Sequence, residues 1–299
     1  MSRTPSLAVR YLKVARADFF ISSILPVMIA SSAALYFSAP LRGSLLPLVL
    51  VGVVSLHAMV NLTNEYNDYK RGVDLRSGNS PHLIASSQVT PREAAVLAYI
   101  SFGVSFAVLL ILAYFRGWLL LFIGLFGIAA GYSYTGPPLA YKYRSLGDIM
   151  IFLFMGPFLV LGAYYALTGE ISLNPVIASF PQGLLIAAVL NSNNIRDINE
   201  DRSAGIRTLP MLIGVKKASG LYSFTLFISF GWVVFWVLAG VFPVYSLAVL
   251  VCAPRAVSAA GRLRRLKETE LENIDFITLK IYLGVNTLLA SSFIAGVFL

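Results

Sequence analysis

Val60-Asn61-Leu62-Thr63-Asn64-Glu65-Tyr66-Asn67-Asp68-Tyr69-Lys70-Arg71-Gly72-Val73-Asp74 runs from the end of a long apolar segment into a cluster of amides and acids. A second stretch repeats the arrangement, with Val189-Leu190-Asn191-Ser192 leading into Asn193-Asn194-Ile195-Arg196-Asp197-Ile198-Asn199-Glu200-Asp201. Both contain Asn-x-x-x-Asp, at Asn64/Asp68 and Asn193/Asp197. Ionisable groups beside apolar runs usually mark function, because removing them from water is unfavourable. The chain has 14 acidic residues, and Glu65, Asp68, Asp74, Asp197, Glu200 and Asp201 all fall in these two stretches. Such concentration in a charge-poor chain points to a shared task.

The flanking sequence sets the fold class. The chain is 58% hydrophobic and 12% charged, with a mean hydropathy of +0.77. Soluble domains carry about 25% charged residues, so this reads as an all-α integral membrane protein. A helix needs roughly 20 apolar residues to cross the hydrocarbon core. Nine segments qualify, at about 19–38, 44–63, 94–114, 117–134, 148–167, 173–191, 219–239, 241–260 and 276–298. The first 18 residues carry Arg3, Arg10, Lys13 and Arg16, but a full span follows them rather than the short apolar core of a signal peptide.

The basic residues orient the chain. Of the 23 Lys and Arg residues, only Arg42 and Arg116 fall on the odd-numbered connections, and Lys280 lies inside the last span. The others collect at the N-terminus and beside the even-numbered connections. The positive-inside rule therefore expects a cytoplasmic N-terminus and both acidic clusters on the cytoplasmic face of the cell membrane. The net charge of +9 follows this pattern, which suits anionic lipid and speaks against nucleic acid. One Cys and two His exclude an intrachain disulfide and make a structural zinc site untenable. The chain reads as one transmembrane domain over 1–299, and the paired clusters suggest two weakly repeated halves, about 1–134 and 135–299.

If the helices continue past the apolar core, residues four apart share a face. Asn64 and Asp68 then project together, as do Asn193, Asp197 and Asp201. Carboxylates gathered this way need a cation between them. Mg2+ suits them, since it takes oxygen ligands and is commonly held by one or two carboxylates plus substrate phosphates. The basic residues Lys70, Arg71, Lys142, Arg144, Arg196 and Arg207 are available for the remaining phosphate oxygens. The reading is a Mg2+–diphosphate site at a membrane surface. His57, in the second span, reads as a hydrogen-bonded packing residue.

These motifs resemble those of the UbiA-type intramembrane prenyltransferases. Asn64, Asp68 and Asp74 match the family's first motif, and Asp197 and Asp201 its second. Arg16-Ala17-Asp18 with Leu25-Pro26 looks like its opening elements. Tyr134-Thr135-Gly136-Pro137-Pro138 with Lys142 and Leu146-Gly147-Asp148 is similar to its middle loop. Ala204-Gly205-Ile206-Arg207-Thr208-Leu209 with Ile213-Gly214 resembles the segment after the second motif. Glu65 stands where Asp is usual, and His82 stands where an Arg is common.

The resemblance implies nine helices around a lipid-open cavity, and Mg2+-dependent transfer of a prenyl group from a polyprenyl diphosphate to an acceptor. It implies Asn64, Asp68, Asp74, Asp197 and Asp201 as metal ligands. Lys142, Arg71, Asn193, Arg207 and His82 then bind diphosphate, while Asp68, Asp197 and Tyr134 act in catalysis. The Asn-Asn-Ile-Arg-Asp run at 193–197 is most similar to the branch acting on 1,4-dihydroxy-2-naphthoate, which makes a menaquinone precursor with loss of the acceptor carboxylate. An ether-lipid synthase with a glyceryl phosphate acceptor is the nearest alternative. From a different class, a cation-coupled transporter would need its acids near mid-membrane.

Overall fold

The computed structural model describes residues 7–73, 84, 88–266 and 271–299. Among them the structure is helical throughout, apart from one isolated parallel bridge between Arg144 and Arg207. The helices are α1 (Leu7–Val14), α2 (Ile21–Tyr36), α3 (Leu46–Arg71), α4 (Pro91–Arg116), α5 (Trp118–Tyr132), α6 (Gly147–Leu153) and α7 (Leu159–Thr168). They continue as α8 (Leu173–Arg196), α9 (Ile198–Ser203), α10 (Leu209–Ile213), α11 (Val215–Leu238), α12 (Ala253–Arg265) and α13 (Ile274–Phe298).

Eight helical segments among the described residues are long and apolar enough to cross a membrane. Large apolar side chains face outward, as Tyr99 and Tyr114 of α4, Trp118 and Phe122 of α5 and Phe224 and Phe235 of α11 do. That is the pattern of a bundle solvated by lipid rather than water. The segment expected at 117–134 forms the 15-residue α5, about 22 Å long at 1.5 Å per residue. The span expected at 241–260 also differs in detail. It starts as a 3-10 helix, Val244–Cys252, and becomes α12 where Pro254 enters the first turn. Proline has no N–H to donate to the preceding turn, so the helical pattern restarts there.

The most buried of the long helices are α2 and α8. The latter packs on α2, α11 and α13, while α3 lies along α4. Between α6 and α7 the chain makes a π-helical turn, Phe154–Phe158, around Gly156 and Pro157. Gly156 meets Gly183 of α8 so closely that a Cβ on it would stand 2.8 Å from the Gly183 Cα. Two glycines let the backbones touch here, as small residues do between membrane helices.

Both ends of the loop region after α3 are fixed by local chemistry. That helix stops at Gly72, whose φ of 70° favours glycine, and Val73 N–H then caps the Asp68 carbonyl at 3.0 Å. The next helix, α4, begins with Thr90 and Glu93 exchanging bonds in a capping box. Arg10 of α1 donates to Glu93 at 3.0 Å and ties the N-terminal segment to this corner.

Candidate active site

The last turns of α3 remain helical through Asn64 and Asp68, so these two do share a face. Both are buried, yet neither lacks a partner. Lys142 Nζ donates to Asp68 Oδ2 at 2.6 Å and to Asn64 Oδ1 at 2.9 Å. Tyr143 OH donates to Asp68 Oδ1 at 2.5 Å. These donors come from a 3-10 turn, Tyr141–Tyr143, that folds back on the end of α5. Lys142 N–H bonds to the Tyr134 carbonyl at 2.9 Å, and Tyr141 OH to the Ala130 carbonyl at 3.0 Å. Asn67 adds a bond to Thr135 at 3.3 Å. Glu65 takes part differently: its carboxylate accepts from the Ile84 N–H at 3.3 Å.

The second motif is built otherwise. The regular α8 ends at Arg196, and Asp197 is the joint to α9, with φ −94° and ψ 14°. The four-residue bonds still run through it, from Asp197 N–H to Asn193 and from Asp201 N–H to Asp197, each 2.9 Å. The expected stripe is therefore bent rather than lost. Arg196 grips both oxygens of Asp197, at 2.7 and 2.8 Å, and reaches Asp275 of α13 at 2.6 Å. Asn194 donates to Asp148 at 3.3 Å.

The two motifs meet through Asp201 and Lys142, which line one small polar groove with Tyr134, Asp148, Asn194 and Thr208. Burial pushes the Asp201 carboxyl up to about 6; Lys142 pulls it down, while Asp197, Glu200 and Asp68 push it further up. Burial likewise raises the phenols of Tyr134 and Tyr143, and the Asp68 charge raises both again. Both rings stay protonated and neutral at ordinary pH. Beside this layer lies a cavity of about 360 Å³. Asn64, Tyr134 and Asn193 form its polar end, and α5, α6 and α7 give it apolar walls.

The remaining expected residues fall into distinct places. Arg71 is exposed and lies over the Tyr143 ring at 4.3 Å. Arg207 is exposed on the bridge to Arg144, where Ser145 N–H bonds to its carbonyl at 2.8 Å. Arg196, a candidate for phosphate, is engaged by two aspartates instead. Asp74 and His82 lie outside the described residues. Among the described residues, no three His, Cys, Asp or Glu side chains converge as a metal site. Each carboxylate of the two Asn-x-x-x-Asp motifs is neutralised separately, by Lys142 or by Arg196.

The residues present nevertheless fit Mg2+. Every candidate ligand is an amide or carboxylate oxygen, the donor type this ion prefers. Asn193 Oδ1 is buried without a partner beside Asp197, an acceptor open to a cation. Sequence reasoning missed Tyr143 and Asp275. The adjacency of Tyr143 to Lys142 was the available signal for the first. For the second it was an acid opening the last apolar helix.

Comparison with known proteins gives the family and the fold. The pattern of the UbiA prenyltransferase family matches residues 23–284. The 1,4-dihydroxy-2-naphthoate octaprenyltransferase of Bacillus subtilis (strain 168) is 31% identical over 248 residues, covering 83% of this chain and 79% of its own. A structure concerned with digeranylgeranylglyceryl phosphate synthase superposes with a TM-score of 0.69 at 18% identity, over 97% of this chain and 99% of that one. A UbiA homolog from Archaeoglobus fulgidus bound to GPP and Mg2+ gives 0.59 at 17% identity, over 93% and 99%.

Proposed function

Since this chain belongs to the UbiA prenyltransferase family, and is thus a membrane transferase of alkyl groups other than methyl, we propose that it prenylates 1,4-dihydroxy-2-naphthoate or a close aromatic relative. The donor is a polyprenyl diphosphate and the product a menaquinone precursor. One observation carries the reading: two acidic motifs, each already holding an internal cation, stand at the polar end of an apolar cavity. The naphthoate branch is supported by the 31% identical relative.

In this reading the bundle has nine spans, with α5 as the short one, and opens to lipid. The N-terminus and both motifs face the cytoplasm. The domain covers 1–299, as two weakly repeated halves. Asn64, Asp68 and Asp74 hold Mg2+ from one side, and Asp197 and Asp201 from the other. Lys142, Arg71, Asn193, Arg207 and His82 serve the diphosphate. When bound, Mg2+ supplies the positive charge that draws off the electrons of the breaking C–O bond.

The chain's own part is positional. Lys142 already sits between the first motif and the Tyr134 ring, 5.9 Å from the ring centre, and a small turn brings its charge onto a diphosphate oxygen. Tyr134, kept neutral, offers its ring face to the allylic cation at the mouth of the cavity. The apolar walls keep water from that cation while the acceptor carbon attacks.

The test uses the purified protein in lipid with a labelled prenyl diphosphate, with and without Mg2+, against aromatic and glyceryl phosphate acceptors. Mg2+-dependent diphosphate release with one aromatic acceptor consumed is the expected result. Consumption of a glyceryl phosphate acceptor would move the protein to ether-lipid synthesis. Asp68 and Asp197 reactive to membrane-impermeant reagents from both sides would revive a transporter.

A further inference from the structure

The polar lining of the cavity is unevenly distributed. The walls from α5, α6 and α7 carry none below the Tyr134 rim and α4 adds only Ser105, whereas the side formed by α3, the start of α2 and the turn before it carries Arg16, Ser22, Ser23, His57 and Asn61. In α3 the lining positions Val53, His57, Val60, Asn61 and Asn64 follow helical spacing, so one face descends from the acidic motif into the cavity. His57 lies seven residues below Asn64, about 10 Å along the axis at 1.5 Å per residue. That is the reach of a two-ring aromatic acceptor lying beneath the diphosphate.

The imidazole is held in one orientation. Its Nδ1 is 2.8 Å from Ser23 Oγ, which is buried on α2, and the Phe20 ring packs against it at 5.5 Å. Nε2 makes no hydrogen bond to the described residues. We propose that His57 is a catalytic base–acid whose Nε2 takes the proton of an acceptor ring hydroxyl. This role takes the tautomer in which Nδ1–H donates to Ser23 Oγ, the one that leaves Nε2 its lone pair. This rests on the aromatic-acceptor reading above.

The step balances for a carboxylated dihydroxy ring. The diphosphate leaves with the electron pair of the C–O bond. As the hydroxyl proton moves to Nε2, the ring carbon bearing the carboxylate forms the new C–C bond to the allylic carbon. Loss of CO2 returns an electron pair to the ring, and the proton goes back from Nε2 to the ring oxygen. No net proton is released, so a single histidine completes the cycle.

The experiment compares the unchanged protein with His57→Gln in lipid nanodiscs, using geranyl diphosphate, Mg2+ and 1,4-dihydroxy-2-naphthoate. Expected is a kcat about a hundredfold lower, the ordinary range for general acid–base catalysis, with KM for geranyl diphosphate within about twofold. Acceptor methylated at the hydroxyl beside the carboxylate should react equally slowly with both proteins. Ser23→Ala, which keeps the ring and loses its anchor, should lose about tenfold and serves if His57→Gln does not fold. A His57→Gln or folded Ser23→Ala enzyme with undiminished kcat overturns the inference, as does a methylated acceptor that still distinguishes the two proteins. If the unchanged protein transfers to no aromatic acceptor, the functional reading itself fails, which is a separate outcome.

Discussion

The two acidic motifs share a spacing, but their surroundings are organised in opposite ways. Asp68 is held from a distance: Lys142 and Tyr143 reach it from a turn more than seventy positions along the chain. Asp197 is held by its own neighbour, Arg196, and that arginine is anchored in turn to Asp275 on the last helix. The first motif thus depends on a folded-back connection, and the second is fastened to the bundle. Similar sequences acquire different mechanical roles from the cations that reach them.

The largest expected effects test whether the two motifs are equally indispensable. Asp68→Ala and Asp197→Ala should each reduce turnover about a thousandfold or more, the scale of losing central transition-state charge stabilisation. Melting in detergent should confirm both variants folded. Activity retained in only one would make the comparison a hierarchy.

Lys142→Met comes next, because it breaks the long-range side. A loss of about a hundredfold in kcat/KM is expected, with unchanged oligomeric behaviour on size exclusion. A loss confined to thermal stability would reduce Lys142 to a structural tie.

On the fastened side the sign is opposite to intuition. Asp275→Asn leaves Arg196 to Asp197 alone, so the arginine competes harder with Mg2+. The Mg2+ concentration for half-maximal rate should rise about tenfold, equivalent to about 1.4 kcal/mol. A fall would mean that Asp275 orients the motif in some other way.

The smallest effect concerns pH. The Asp201 carboxyl, pushed up to about 6, binds its proton more tightly folded than unfolded. The metal-free protein therefore loses a little stability as pH rises from about 4 through 6. Mg2+ needs the deprotonated form, so its half-saturation should be flat above pH 7 and rise about tenfold per unit below 6. Asp201→Asn should abolish that dependence; a profile unchanged by the substitution would remove Asp201 from the metal set.

Much of the bundle was legible because apolar length alone specifies a membrane helix. The continuation of α3 through Asn64 and Asp68 followed from four-residue spacing. What escaped the sequence was set by tertiary choice. The bend at Asp197 arises where Asn, Asp and Ile, all weak helix formers, crowd together. The π turn at Gly156 needs the α8 backbone opposite it to make sense. Arg196 looked like a phosphate ligand in the sequence, and only the position of α13 reveals Asp275 as its second partner.

The paired glycines have a practical corollary for anyone redesigning this enzyme. Where Gly156 rests on Gly183 there is no side-chain layer to trim or exchange, so the spacing of those two helices is not an adjustable dimension. Phe154, Met155 and Phe158 of the same turn do line the cavity with side chains. Tailoring for a longer or bulkier guest belongs on those three, with the glycine pair left as the fixed jaw against which they are filed.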